Sequence, residues 1–195
     1  MNPVILASAS PRRRALLEQI GVAYLVEPAD IDETPRTDET PEQYVQRIAA
    51  DKSWQVWRAH NGQRWVLAAD TSVVVDGEIL GKPRDRDDAF AMLRRLSDRT
   101  HQVYSAVSLR GTHHDQALNI TEVRFRALTD AEIEAYWHSG EPRDKAGAYA
   151  IQGLGAIFVA AINGSFSGVV GLPLFETAQL LRHAGFSIAD LASSH

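Results

Sequence analysis

Apolar positions along the chain alternate between two rhythms, short runs of strand length and longer stretches with a helical repeat of three to four residues. Val4–Ala7 reads as a buried first strand. Ser10-Pro11 then supplies an N-cap and a proline at the first helical position, and that helix stops at Gly21. Thr40-Pro41-Glu42-Gln43 has the form of a capping box, opening a helix with Tyr44, Val45, Ile48 and Ala49 on one face. Trp65–Val75 is an apolar strand, followed by an Asp76-Gly77 turn into Glu78–Leu80. A helix is expected from near Asp85, with Ala89, Met92, Leu93 and Leu96 inward. Val103–Leu109 and Ile120–Leu128 are expected as strands joined by the polar turn Gly111–Gln116. Thr129–Glu132 forms a second capping box, for a helix ending at Gly140. Ala156–Ile162 and Ser165–Val170 pattern as a hairpin around Asn163-Gly164. Pro173–Ala184 closes as a helix with Leu174, Phe175, Ala178 and Leu181 inward. Strands interleaved with helices and hairpins predict an α/β protein with mixed sheets flanked by helices, not a purely parallel sheet.

Composition narrows the class. The 195 residues are 45% hydrophobic and 23% charged, which excludes a disordered or coiled-coil chain. The length predicts one domain over residues 1–195, built as two lobes. With no cysteine, thiolate catalysis, zinc fingers and disulfides are excluded. No apolar run approaches the roughly 20 residues of a membrane span, and the first residues lack the basic region of a signal peptide, so a cytoplasmic protein is expected. A net charge of −5 argues against a nucleic-acid partner.

Several polar residues are not accounted for by the fold. Arg12, Arg13 and Arg14 crowd the first turn of a helix, where the macrodipole favours acids. On the helix alone, a solvated basic end is the simpler reading. A bound anion would reverse the sign, because Ser8, Ser10, free backbone N–H groups and guanidinium would then converge on it. Lys52 follows Val45 by seven residues and Ile48 by four, so it lies on an apolar helix face, either snorkelling to the rim or pointing into a cleft. Asp70 is the strongest signal. It interrupts Val66–Val75, where an unpaired carboxylate would be expensive, so it must meet a cation, a metal or water in a cleft, or be protonated. Lys82 sits in the constrained turn Gly81-Lys82-Pro83. Glu27–Glu42 holds seven acids against one base; most are expected as solvated loop charges, while one carboxylate could reach an oxygen-ligated divalent metal near Asp70, and spacing does not say which. His113-His114 reads as surface, and neither Gly153-Leu154-Gly155 nor Gly168–Gly171 makes a dinucleotide fingerprint. Cations, hydroxyls and one buried acid together describe hydrolysis at phosphorus.

These residues fall in motifs that resemble the Maf family of nucleoside triphosphate pyrophosphatases over nearly the whole chain. The matching stretches are Leu6–Arg13, Ala69–Thr71, Gly81–Pro83, Asp144–Gly153 and Val170–Leu174, in family order. The resemblance implies a two-lobed, ITPase-like fold around a central cleft, a homodimer, and hydrolysis of a nucleoside triphosphate to monophosphate and pyrophosphate with a divalent metal, Mg²⁺ or Mn²⁺. Carried over by motif, Asp70 would accept the proton of the attacking water and touch the metal, with Glu33 as the second metal carboxylate. Ser8, Arg13, Lys52 and Lys82 would hold the triphosphate. Arg12, Thr71 and Gln152 resemble the subgroup acting on dTTP and UTP, unlike the 7-methyl-GTP subgroup with its Trp, Asp-Gln and Glu at those places. The implied role is nucleotide-pool house-cleaning, with a link to septum formation and division arrest. A non-catalytic nucleotide- or RNA-binding regulator of division, and a pyrophosphatase for another nucleotide, are the rival readings.

Overall fold

A computed structural model describes residues 2–186. The predicted domain's first residue and residues 187–195 lie outside the described part. The strands are β1 (Val4–Leu6), β2 (Tyr24–Val26), β3 (Val66–Val75), β4 (Glu78–Leu80), β5 (Thr100–Arg110), β6 (His114–Phe125) and β7 (Val159–Asn163). The helices are α1 (Pro11–Gln19), α2 (Pro41–Ala59), α3 (Arg86–Leu96), α4 (Asp130–His138), α5 (Phe166–Val170) and α6 (Leu174–His183). Both capping boxes close as expected, Thr40 with Gln43 and Thr129 with Glu132.

The seven strands form one mixed sheet in the order β2-β1-β3-β5-β6-β7, with β4 added to the far end of β3. β1 runs parallel to β2 and β3, and the remaining pairs are antiparallel. Register matters most along β3. β1 pairs with it through Leu67, β4 pairs with it from Val73, and β5 covers its other edge throughout. Ala68–Ser72 therefore face a gap between β1 and β4, and Asp70 and Thr71 sit in that gap. The pleat divides the strand between two cores. Leu67, Ala69, Val73 and Val75 pack with Leu93, Leu96, Phe125 and Leu181 on one face. Val66, Ala68 and Val74 turn to the α2 side, so Asp70, of the same parity, faces α2 as well.

The sequence pattern differs from the structure in five places. Ala156–Ile162 is a strand only from Val159, because Leu154–Phe158 winds as a 3₁₀ helix before β7. β5 and β6 begin earlier than expected and meet over a turn shorter than Gly111–Gln116. β2, three mostly exposed residues, carries no apolar alternation to read. Ser165–Val170 is not a strand, so the hairpin expected around Asn163-Gly164 does not form, although β3–β4 and β5–β6 keep the sheet mixed. Ser165 caps a short helix instead, its Oγ accepting the Gly168 N–H at 3.0 Å, and the Ser105 hydroxyl donates to the Gly168 carbonyl at 2.6 Å. Such tertiary bonds outweigh the weak strand preference of Val169 and Val170. In α6 the buried face is Thr177, Leu180 and Leu181, which leaves Phe175 70% exposed instead of inward.

A buried histidine on β5 yields a pH prediction. His101 is 2% exposed, its Nε2 lies 2.8 Å from the Tyr149 hydroxyl, and Phe125 and Tyr149 meet it edge to face. Burial lowers its pKa from 6.5 to about 4. Between those values only the unfolded chain takes up the proton, so this contribution to stability is complete above pH 6.5 and is lost as pH falls towards 4. The loss amounts to about 3 kcal/mol. His101→Gln, which keeps a polar partner for Tyr149, is expected to flatten the difference in urea unfolding free energy between pH 7 and 4.5 relative to the unaltered protein. An unchanged difference would show that His101 is not the titrating group.

Candidate active site

The chain leaves β1 directly into a turn of hydroxyls. Ser8 Oγ accepts the Ser10 N–H at 3.2 Å, and Ser10 is the N-cap of α1, with Pro11 behind it. This geometry sends the first-turn arginines towards the gap in the sheet. Arg13 spans it, donating from Nη1 to Ser8 Oγ at 3.1 Å and from Nε to the Gly171 carbonyl at 2.8 Å. Burial lowers the Arg13 pKa and Asp70 pulls it back, so the guanidinium remains the cation of this wall. Arg12 also lines the cleft.

Asp70 and Lys52 meet because β3 and α2 face each other. Lys52 is 9% exposed and Asp70 7%, and the Lys52 ammonium donates to Asp70 Oδ1 at 3.0 Å. The same Nζ lies 2.9 Å from Glu33 Oε1, which comes from the acidic stretch before α2. That stretch is tied down by the Tyr44 hydroxyl donating to the Glu33 carbonyl at 2.9 Å and by Arg47 donating to the Thr34 carbonyl at 3.2 Å. Burial, with Asp70 and Glu33 nearby, pushes the Tyr44 phenol up to about 12, so it stays a donor. Of the two readings of Lys52, the structure matches the cleft-facing one.

The far wall is built by the turn after β4 and by residues 144–152. Lys82 is exposed on its turn, and the Gly81 carbonyl accepts the Gly147 N–H at 3.0 Å. Gly147 has φ +67, and a Cβ there would lie 2.8 Å from Val73 Cγ1, so only glycine lets this segment lie against β3. Lys145 follows into the cleft, paired with Asp144. Thr71 Oγ1 reaches Ser105 Oγ at 3.0 Å and the Gly171 carbonyl at 3.4 Å. Gln152, exposed, completes the wall.

The resulting cleft holds about 580 Å³ and is lined by Ser8, Ser10, Arg12, Arg13, Glu33, Lys52, Asp70, Thr71, Lys82 and Gln152. All ten residues nominated from sequence thus share one cavity, of a volume usual for small-molecule sites. Lys145 and Tyr149 line it too and were not nominated, although both lie inside the Asp144–Gly153 motif. The backbone carbonyl of Gly171, which anchors Arg13, was not nominated either, although Gly171 lies inside the Val170–Leu174 motif. A larger hollow of about 840 Å³ lies on the outer side of α2, between Arg36, Trp54 and Arg58, and it contains none of the ten. Chemistry therefore singles out the smaller cleft. Arg12, Arg13, Lys52, Lys82 and Lys145 outnumber Glu33, Asp70 and Asp144, which suits a compact polyanion inside a protein of net negative charge. Among the described residues no group of three or more His, Cys, Asp or Glu side chains stands ready to hold a metal. His113 and His114 are exposed, as expected.

A family model described as Maf-like protein matches residues 3–184. The dTTP/UTP pyrophosphatase of Methylococcus capsulatus is 57% identical over 189 residues, covering 96% of this chain and 94% of its own. The dTTP/UTP pyrophosphatase of Myxococcus xanthus is 54% identical over 190 residues, 97% of this chain and 96% of its own. Among solved structures, a nucleoside-triphosphatase / dITP/XTP pyrophosphatase from Mycobacterium abscessus aligns with a TM-score of 0.47 at 17% identity, over 94% of this chain and 95% of that one.

Proposed function

Because the chain belongs to the Maf-like protein family, matched over residues 3–184, we propose that it hydrolyses dTTP and UTP to the monophosphate and pyrophosphate. The observation that carries this reading is the Lys52 ammonium set between Asp70 and Glu33 in a cleft otherwise lined with cations. The relatives' substrate and the cleft's charge agree. Arg13, Lys52 and Lys82 hold the triphosphate, with Ser8 and Ser10 donating at the turn. Water attacks the α-phosphorus, its proton passes to Asp70, and the bond from the α-phosphorus to the bridging oxygen breaks. Charge then grows on the departing pyrophosphate, where the same cations offset it. Arg12, Thr71 and Gln152 stand at the nucleoside end.

Two nearby carboxylates, with no third acidic or histidine ligand grouped with them among the described residues, fit a hard divalent cation of the Mg²⁺ type, which binds one or two carboxylates and takes phosphate and water oxygens for the rest. The ammonium between Asp70 and Glu33 marks a position that already suits positive charge. Glu33 and Asp70 would hold Mg²⁺ or Mn²⁺ there. Such an ion supplies Lewis acidity at the phosphoryl oxygens and a more acidic water. Among the described residues no helix is long and apolar enough to cross a membrane. A single two-lobed domain over residues 1–195, a cytoplasmic homodimer, and a part in nucleotide house-cleaning with a link to division arrest complete the reading, and they rest on the family resemblance.

Hydrolysis of UTP in ¹⁸O-water, followed by mass spectrometry, tests it. The label is expected in UMP, with unlabelled pyrophosphate. Label in orthophosphate, with UDP as the other product, would place attack at the wrong phosphorus. Absence of turnover of any triphosphate would favour a binding protein.

A further inference from the structure

Behind the wall that carries Gln152 lies a polar cluster with no part in the roles above. Glu141, half-buried after α4, accepts on Oε1 from the Tyr136 hydroxyl at 2.7 Å and from the Gly155 N–H at 3.0 Å. Its Oε2 accepts the Leu154 N–H at 2.9 Å. The Tyr136 hydroxyl in turn accepts the Ala150 N–H at 3.1 Å. These two side chains therefore tie Ala150 to Leu154 and Gly155, the two ends of the turn Ile151–Gly153, whose middle residue is Gln152. The turn presses closely on the carboxylate, for a Cβ on Gly153 would lie 2.3 Å from Glu141 Oε2.

The three bonds that end on the Glu141 carboxylate are charge-assisted and so stronger than neutral ones. Burial opposes ionisation of Glu141, but the bonds from Gly155, Tyr136 and Leu154 outweigh it and hold the carboxyl below its ordinary value. Burial keeps the Tyr136 phenol protonated, as the donor this arrangement needs. Gln152 itself is exposed to the cleft, so its carboxamide is free to offer both a donor and an acceptor. Uracil and thymine share an imide edge of acceptor, donor and acceptor, which a carboxamide can pair with only when its backbone is held at one distance and angle.

We propose that Glu141 and Tyr136 are positioning residues for base discrimination, clamping the Ile151–Gly153 turn so that Gln152 meets the imide edge of a pyrimidine nucleotide. Neither touches substrate. The proposal rests on the placing of Gln152 at the nucleoside end, given above.

The test compares kcat and KM for UTP and GTP, with thermal melting, in the unaltered protein, Glu141→Gln, Tyr136→Phe, Gln152→Ala and each clamp variant combined with Gln152→Ala. Each single variant is expected to lower the UTP/GTP ratio of kcat/KM about tenfold, mostly through KM for UTP. The combined variants are expected to lose no more than Gln152→Ala alone, because the clamp acts through that residue. A merely structural role lowers the active fraction for both nucleotides alike and leaves the ratio unchanged. That result in a folded clamp variant, with the ratio lost in Gln152→Ala, overturns the clamp alone. An unchanged ratio in Gln152→Ala overturns the placing of Gln152 and the clamp with it. Should Glu141→Gln fail to fold, Tyr136→Phe, which removes one hydroxyl and keeps the ring, decides the matter.

Discussion

Asp70→Asn is expected to lower kcat for UTP about 10²–10⁴-fold while shifting the melting temperature by only a few degrees. The substitution keeps an oxygen for the Lys52 ammonium, now at 3.0 Å from Asp70 Oδ1, and Lys52 retains Glu33 at 2.9 Å. Packing in the β3 gap is thus preserved, and what disappears is the capacity of this position to take a proton. Steady-state kinetics with Mg²⁺, beside a melting curve, separates the two effects. Activity within about tenfold of the unaltered protein would remove Asp70 from the role of proton acceptor, since positioned bases contribute more than that.

Lys52→Met is expected to damage both activity and stability. Methionine fills the aliphatic space but removes the cation from Asp70, whose side chain is only 10% exposed, and from Glu33, whose side chain is 51% exposed. Breaking a buried pair by deleting one partner typically costs 3–5 kcal/mol, and Arg13 nearby offsets part of it, so a loss of about 3 kcal/mol is expected. Turnover should fall about 10²-fold or more, with one charge fewer on the triphosphate. Added Mg²⁺ is expected to raise the melting temperature of this variant more than that of the unaltered protein, because Glu33 and Asp70 would share the ion in place of the ammonium. Equal melting of the two proteins without metal would mean that the pair contributes nothing net. Equal response to Mg²⁺ would count against the two carboxylates as its ligands.

Much of the site was legible one residue at a time. Asp70 stands out because a carboxylate inside Val66–Val75 violates the apolar pattern of its strand. Lys52 stands out because helical spacing places it on an apolar face. Glu33 does not stand out, since seven acids share its stretch, and only the family resemblance separated it from the others. What brings it to Lys52 is a set of contacts distant in sequence, the Tyr44 hydroxyl on its carbonyl and Arg47 on the next one. Glu141 and Tyr136 do not stand out, one just past the expected helix end at Gly140 and the other within that helix, because their partners at 150, 154 and 155 are backbone groups that side-chain pattern does not mark.

The sequence by itself determined what is local. Caps at Ser10, Thr40, Asp85 and Thr129 set where helices begin, because a side-chain oxygen satisfies an N–H only two or three residues away. The two-residue pleat along β3 determined which side chains share a face. Only the tertiary structure decided which way a short ambiguous segment would go. Ser165–Val170 became helical once Ser105 bonded the Gly168 carbonyl, and Phe175 faced outward once Thr177, Leu180 and Leu181 took the buried stripe. The gap between β1 and β4 is of the same kind. It exists because one long strand outruns two short neighbours, and pairing length depends on chains that meet from far apart. That gap gathers the cations into one cleft, a property that net charge, summed over the whole chain, does not carry.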